Sequence, residues 1–214
     1  TLGGAEEEQE PPDYTSARLQ QLLGGKYRFE KLIGRGGFAL VYKVTNLSLN
    51  RVEALKVLTH LHNDQPDSTS RFVEEARVSA SLIHSNIIQV YEFGHLREFF
   101  WFSMQYVEGP TLAQELKTRK KMDETSAINL ILPLLDALDY SHKKGIVHRD
   151  IKPSNIMLDL SGRPYLMDFG IAKSMDSQLQ TKTGQFLGTP VYVSPEQVSG
   201  QKVDGRADIF AIGV

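Results

Sequence analysis

Two kinds of hydrophobic spacing share this chain. Tyr27 to Ile33, Leu40 to Val44, Arg51 to Leu58, His84 to Phe93 and Phe99 to Gln105 are short runs with a loose period of two. They are rich in β-branched and aromatic residues and predict five strands. A polar turn, Gly94-His95-Leu96-Arg97-Glu98, joins the last two. Elsewhere the period is near 3.6. Ser16 to Leu23 predicts a short helix ended by Gly24-Gly25. Arg71 to Ile83 predicts a longer one, with Phe72, Ala76, Ser79 and Ile83 in one stripe. After Gly109-Pro110, Thr111 to Lys117 and Ser126 to Lys143 are helical. The second places Ile128, Ile131, Leu132, Leu135 and Leu138 on one face; Pro133 predicts a kink and Gly145 a stop. A last apolar helix begins within Asp204 to Val214.

Composition changes this picture little. Of 214 residues, 41% are hydrophobic and 23% charged, as in an ordinary soluble globular protein. Residues 1–13 hold Glu6, Glu7, Glu8, Glu10 and Asp13 and no base, and are expected to be a disordered acidic tail. The rest carries 24 basic against 21 acidic residues. That argues against a nucleic-acid surface and leaves a mild positive bias suited to a phosphate ligand. With no cysteine, disulfides and Cys-based zinc sites are excluded, which fits a cytoplasmic domain. No apolar run approaches the ~20 residues of a membrane span, and the first residues lack the pattern of a signal peptide. His60 and His62 have no third metal ligand nearby.

Gly34-Arg35-Gly36-Gly37-Phe38-Ala39 could let backbone N–H groups approach phosphates closely. It is not a P-loop, because no Gly-Lys-Ser/Thr ends it. A dinucleotide fingerprint would need a helix next, and Leu40 to Val44 reads as a strand. Lys56, in Ala54-Leu55-Lys56, can point off one face of the following strand. Glu74 and Glu75 compete as its partner. Helical geometry sets Glu75 about 60° from the Phe72-Ala76-Ser79-Ile83 stripe and Glu74 about 160° from it, so Glu75 should face Lys56 and Glu74 solvent.

The stretch that organises the chain is Ile146-Val147-His148-Arg149-Asp150-Ile151-Lys152-Pro153-Ser154-Asn155-Ile156-Met157-Leu158, followed by Asp168-Phe169-Gly170. It offers a carboxylate to orient a hydroxyl, a cation beside it, and an amide and a second carboxylate as hard oxygen ligands for Mg²⁺. These are the components of phosphoryl transfer. From about Tyr27 to Val214 the sequence resembles the eukaryotic-like Ser/Thr protein kinases, most of all their bacterial members.

The resemblance implies an α+β, bilobal fold: a five-stranded antiparallel sheet plus one helix in the N-lobe (25–107, with a leader over 1–24) and a mainly helical, incomplete C-lobe (108–214). It implies ATP and Mg²⁺ (or Mn²⁺), and transfer of the γ-phosphoryl group to Ser/Thr hydroxyls of proteins. Asp150, Lys152, Lys56 and Glu75 would be catalytic, and Asn155 and Asp168 would hold the metal. Ile33, Gly34, Gly36, Gly37, Val41, Ala54, Lys56 and Met157 would border the nucleotide, with Met104 as gatekeeper and Gln105-Tyr106-Val107 as hinge. Lys152 fits Ser/Thr specificity. Thr189, in Gly188-Thr189-Pro190, would face the substrate, and Ser194-Pro195-Glu196 would close the activation segment. Thr181 and Thr183 would be autophosphorylated, in trans within a kinase homodimer, with Arg149 gripping the phosphate; ordinary loop polarity is the competing reading. Asp208 would anchor the catalytic loop. Ala39 replaces the third glycine of the loop, and Ser79 stands where the family has an apolar residue. Both keep a non-catalytic docking module open as an alternative, while Gly188-Thr189-Pro190 argues against a small-molecule kinase. The family's larger lobe continues through further helices, so the chain is expected to be an N-terminal portion of a longer one.

Overall fold

The loosely alternating runs assemble into one antiparallel sheet. The computed structural model describes residues 14–36, 39–58, 66–96, 99–119, 121–169 and 190–214. The expected acidic tail over 1–13, and His60 and His62, lie outside the described residues.

β1 (Tyr27–Arg35), β2 (Ala39–Asn46), β3 (Arg51–Leu58), β4 (Val90–Leu96) and β5 (Phe99–Gln105) pair in the order β1-β2-β3-β5-β4. Alternation along β2 and β3 sends side chains to two different cores. Leu40, Tyr42, Val44, Leu55 and Val57 pack on the outer face. Val41, Ala54 and Leu58 pack on the inner face with Phe72 and Ala76 of helix α2 (Pro66–Ser81). The expected lobe of a sheet with one helix carries a second helix. α1 (Tyr14–Leu23) buries Leu19 and Leu23 in the outer-face core, so the leader expected over 1–24 is partly built into the sheet.

Three sequence expectations are corrected. His84 to Gln89 is not strand: Leu166 donates to Asn86 O, and Ile88 donates to Leu166 O, tying this segment to the other half of the chain. Gly94 continues β4 instead of starting a turn, and a Cβ there would meet Trp101 at 2.2 Å. Ile83 leaves the α2 stripe at 73% exposure, because the helix ends at Ser81 and Leu82 turns inward in its place.

The remaining elements are α3 (Leu112–Arg119), α4 (Glu124–Lys143), the hairpin β6 (Ile156–Leu158) with β7 (Pro164–Leu166), α5 (Pro195–Val198) and α6 (Arg206–Gly213). α4 starts at the cap of Asp123, whose side chain accepts from Ser126 N. It runs on through Pro133. Its buried face is Leu130, Leu134, Ala137, Leu138 and Ser141, rotated from the expected one. Of the expected stripe, Leu138 is buried and Ile131 packs at the core edge, while Ile128 and Leu132 are 47% and 59% exposed. Both faces of this helix are apolar, so spacing alone did not choose between them.

Candidate active site

β3, α2 and the segment after β7 converge on one ammonium group. Lys56 Nζ donates to Glu75 Oε1 at 2.5 Å and to Asp168 Oδ1 at 2.9 Å. Glu74 faces away and pairs with Arg77, the split that the helical period demanded. Burial alone would lower the Lys56 pKa, but the carboxylates of Asp168 and Glu75 outweigh it and hold the ammonium above its usual value. Burial pushes the Glu75 carboxyl up to about 7 against the pull of Lys56. Burial acts on Asp168 in the same sense, yet Lys56 prevails and holds it below the ordinary carboxylate range.

The second half of the site is a loop whose backbone is held from beneath. Arg149 sits at φ 65° and Asp168 at φ 57°, in the left-handed region that non-glycine residues avoid. In the buried Asp208 of α6, Oδ2 accepts from His148 N at 2.9 Å and Oδ1 from Arg149 N at 2.7 Å. His142 Nε2 lies 2.7 Å from Asp208 Oδ2. One carboxylate thereby satisfies two adjacent backbone donors and stabilises the strained turn. The fully buried His148 spans the loop from the other side, with Nε2 donating to Met167 O at 3.0 Å and Nδ1 accepting from Asp150 N at 3.3 Å. That pattern requires the neutral ring, and burial accordingly lowers its pKa. Its ring lies 4.6 Å from that of Phe169.

On this frame Lys152 Nζ donates to Asp150 Oδ2 at 2.9 Å. Asn155 Nδ2 donates to Asp150 O at 2.9 Å and to Oδ2 at 3.0 Å. Met167 N donates to Asn155 O at 3.1 Å, which sets Asn155 beside the residue preceding Asp168. Among the described residues no three His, Cys, Asp or Glu side chains group as a metal site. A divalent ion here would draw on one carboxylate and one amide oxygen and complete its shell from a ligand. That donor set fits Mg²⁺ bound to phosphates.

The apolar residues expected around a nucleotide base share one cluster. Ala54, Met104 and Val107 are buried there, with Val41 and Met157 at its edge. Ala54 pairs with Met104, and Gly34 with Val41. Gln105 ends β5 half-buried, Ile33 lies exposed on β1, and Gly36 N donates to Ala39 O at 2.8 Å. Gly37, Thr181, Thr183 and Thr189 lie outside the described residues. One structural partner escaped the sequence reading. Gln197 Nε2 donates to Arg149 O at 2.9 Å, and Gln197 closes a capping box with Ser194. The Ser-x-x-Gln spacing signals the capping box but not the contact with Arg149.

This is the fold of a protein kinase. The chain belongs to the protein kinase domain family, which it matches over residues 27–214. It is 40% identical over 199 residues to a probable serine/threonine-protein kinase of Streptomyces coelicolor, covering 89% of this chain and 29% of that one. It is 40% identical over 191 residues to the serine/threonine-protein kinase PknJ of Mycobacterium tuberculosis, covering 87% and 32%. With the serine/threonine-protein kinase PrkC of Bacillus subtilis the identity is 35% over 192 residues, covering 90% and 30%. The chain thus spans about a third of the length of these curated relatives. No helix among the described residues is long and apolar enough to cross a membrane.

Proposed function

We propose that this chain carries the catalytic centre of a cytoplasmic Ser/Thr protein kinase that uses ATP with Mg²⁺ (or Mn²⁺), divided into an N-lobe over 25–107 and a C-lobe over 108–214. The observation that supports it best is the pair of clusters, Lys56-Glu75-Asp168 and Asp150-Lys152-Asn155, joined where Met167 N, next to Asp168, donates to Asn155 O.

Bound Mg-ATP supplies the phosphoryl group and the cation that shields its charge. Ile33, Gly34, Gly36, Gly37 and Val41 cover the nucleotide. Ala54, Met104 and Met157 sandwich its base, and Gln105 and Val107 offer it hinge backbone groups. Glu75 aims Lys56 at the phosphates. Asp168 and Asn155 hold the metal through oxygen. Asp150 orients the Ser/Thr hydroxyl of a protein substrate and accepts its proton. Lys152 donates to the transferring group, and Thr189 faces the peptide. The residues position groups and stabilise charge, and none bonds covalently to substrate. Thr181 and Thr183 are autophosphorylation sites, modified in trans between two copies.

With radiolabelled ATP and a Ser/Thr peptide, Asp150→Asn should remove nearly all transfer, at least about a hundredfold, and leave nucleotide affinity close to wild type. Undiminished transfer would take Asp150 out of the reaction. Mass spectrometry of the same mixture should find phosphate on Thr181 or Thr183.

A further inference from the structure

The kinase family match begins at residue 27, and α1 lies wholly before it. Even so, α1 is built into the fold. Leu19 is 0% exposed and Leu23 7%, both within the outer-face core. Its exit is sterically demanding: Gly24 N donates to Gln20 O at 2.9 Å, and a Cβ on Gly24 would stand 2.3 Å from that oxygen. Lys26 N then donates to Leu23 O, and Lys26 O accepts from Leu47 N, each at 2.9 Å. The helix is therefore seated on the sheet by apolar burial and by a specified turn.

What α1 covers gives it a role. Leu40, Tyr42 and Val44 of β2 point outward into the core with Leu19, while Val41 and Ala39, from the same strand, point to the nucleotide side. β1 is the edge strand, paired only with β2, and its register breaks twice, between Phe29 and Lys31 and between Leu32 and Gly34. An edge strand with two irregularities is weakly held by its ladder alone. α1 lies against it from behind.

We propose that Leu19 and Leu23 are positioning residues for nucleotide binding: by sealing the back of the β1–β2 hairpin, α1 holds Gly34 and Val41 in the register that closes over the phosphates. This rests on the nucleotide-binding reading above. Release of α1 opens the hairpin and weakens nucleotide binding without touching a nucleotide-contacting residue. By linkage, bound nucleotide strengthens the seating of α1 by the same factor.

The chain has a single tryptophan, Trp101, and it lies in this outer core. The part of the emission that Trp101→Phe removes therefore reports α1 seating. In the whole protein, Leu19→Ala should weaken Mg-ATP binding about five- to tenfold, raise the KM for ATP by a similar factor, and leave kcat at saturating ATP near wild type. Trp101 should become more accessible to acrylamide, and saturating Mg-ATP should reverse part of that change. Leu19→Met should restore affinity, and Leu19→Val keeps the comparison usable if the alanine variant does not fold. Leu130→Ala, in the separate core of the helical half, should lower stability without moving the ATP affinity. Wild-type affinity in both Leu19→Ala and Leu19→Val, or equal weakening in Leu130→Ala, overturns the positioning role while nucleotide binding stands. Failure of the unmutated protein to bind Mg-ATP overturns the nucleotide-binding reading and this inference with it.

Discussion

The two halves of the candidate active site are held by different forces. Lys56, Glu75 and Asp168 come from β3, α2 and the segment after β7, and charge pairing brings them together. The Asp150 loop is held by hydrogen bonds from its own backbone to one buried carboxylate and one buried imidazole. Charge pairs tolerate small shifts, because Coulomb energy varies slowly with distance. Buried backbone donors tolerate almost none, because an unpaired one keeps its full desolvation cost. The loop half should behave as a fixed platform and the Lys56 half as the adjustable part.

Asp208→Ala tests the platform and should have the largest effect. It strands two backbone N–H groups, at a cost of about 3 kcal/mol. In a chain of this size that lowers Tm by roughly 6–12 °C, and transfer should be lost. A Tm within 2 °C of wild type would show that the loop holds itself. Glu75→Gln tests the adjustable half. Lys56 keeps Asp168 but loses its aim, so kcat/KM for ATP should fall about ten- to a hundredfold with little change in Tm. Equal losses of Tm in the two variants would erase the distinction.

A smaller effect is expected from pH. The folded-state pKa of His148 is depressed by burial, so its contribution to stability is full above the ordinary histidine pKa of about 6.5. That contribution is lost as pH falls through the lowered folded value, because only the unfolded chain takes the proton early. Between pH 7 and 5, where the raised Glu75 carboxyl acts in the opposite sense in both proteins, melting curves of His148→Gln should lose less stability on acidification than those of the wild type. The smallest effect belongs to Glu74→Gln. Its pair with Arg77 is exposed, and such pairs contribute about 0.5 kcal/mol or less. Activity unchanged in this variant but reduced in its neighbour Glu75→Gln would isolate the helical face as the deciding factor.

The choice of Glu75 over Glu74 was legible in the sequence because a helix converts spacing into direction, with no knowledge of what it faces. The same arithmetic failed at Ile83, where the α2 helix had already ended, and on α4, where two stripes were equally apolar. Asp150, Lys152 and Asn155 were legible because all three lie within six residues of one loop. Gln197 was not, since its contact with Arg149 O spans 48 positions.

Local order along the chain therefore determined the strands, most helices and the chemical inventory, because periodicity and turn residues act over a few residues. Which apolar face of α4 turns inward, how the leader helix seats on the sheet, and which side chain reaches Arg149 O were decided only by tertiary packing. Each of those depends on surfaces that meet from distant parts of the sequence, and no local spacing encodes the meeting.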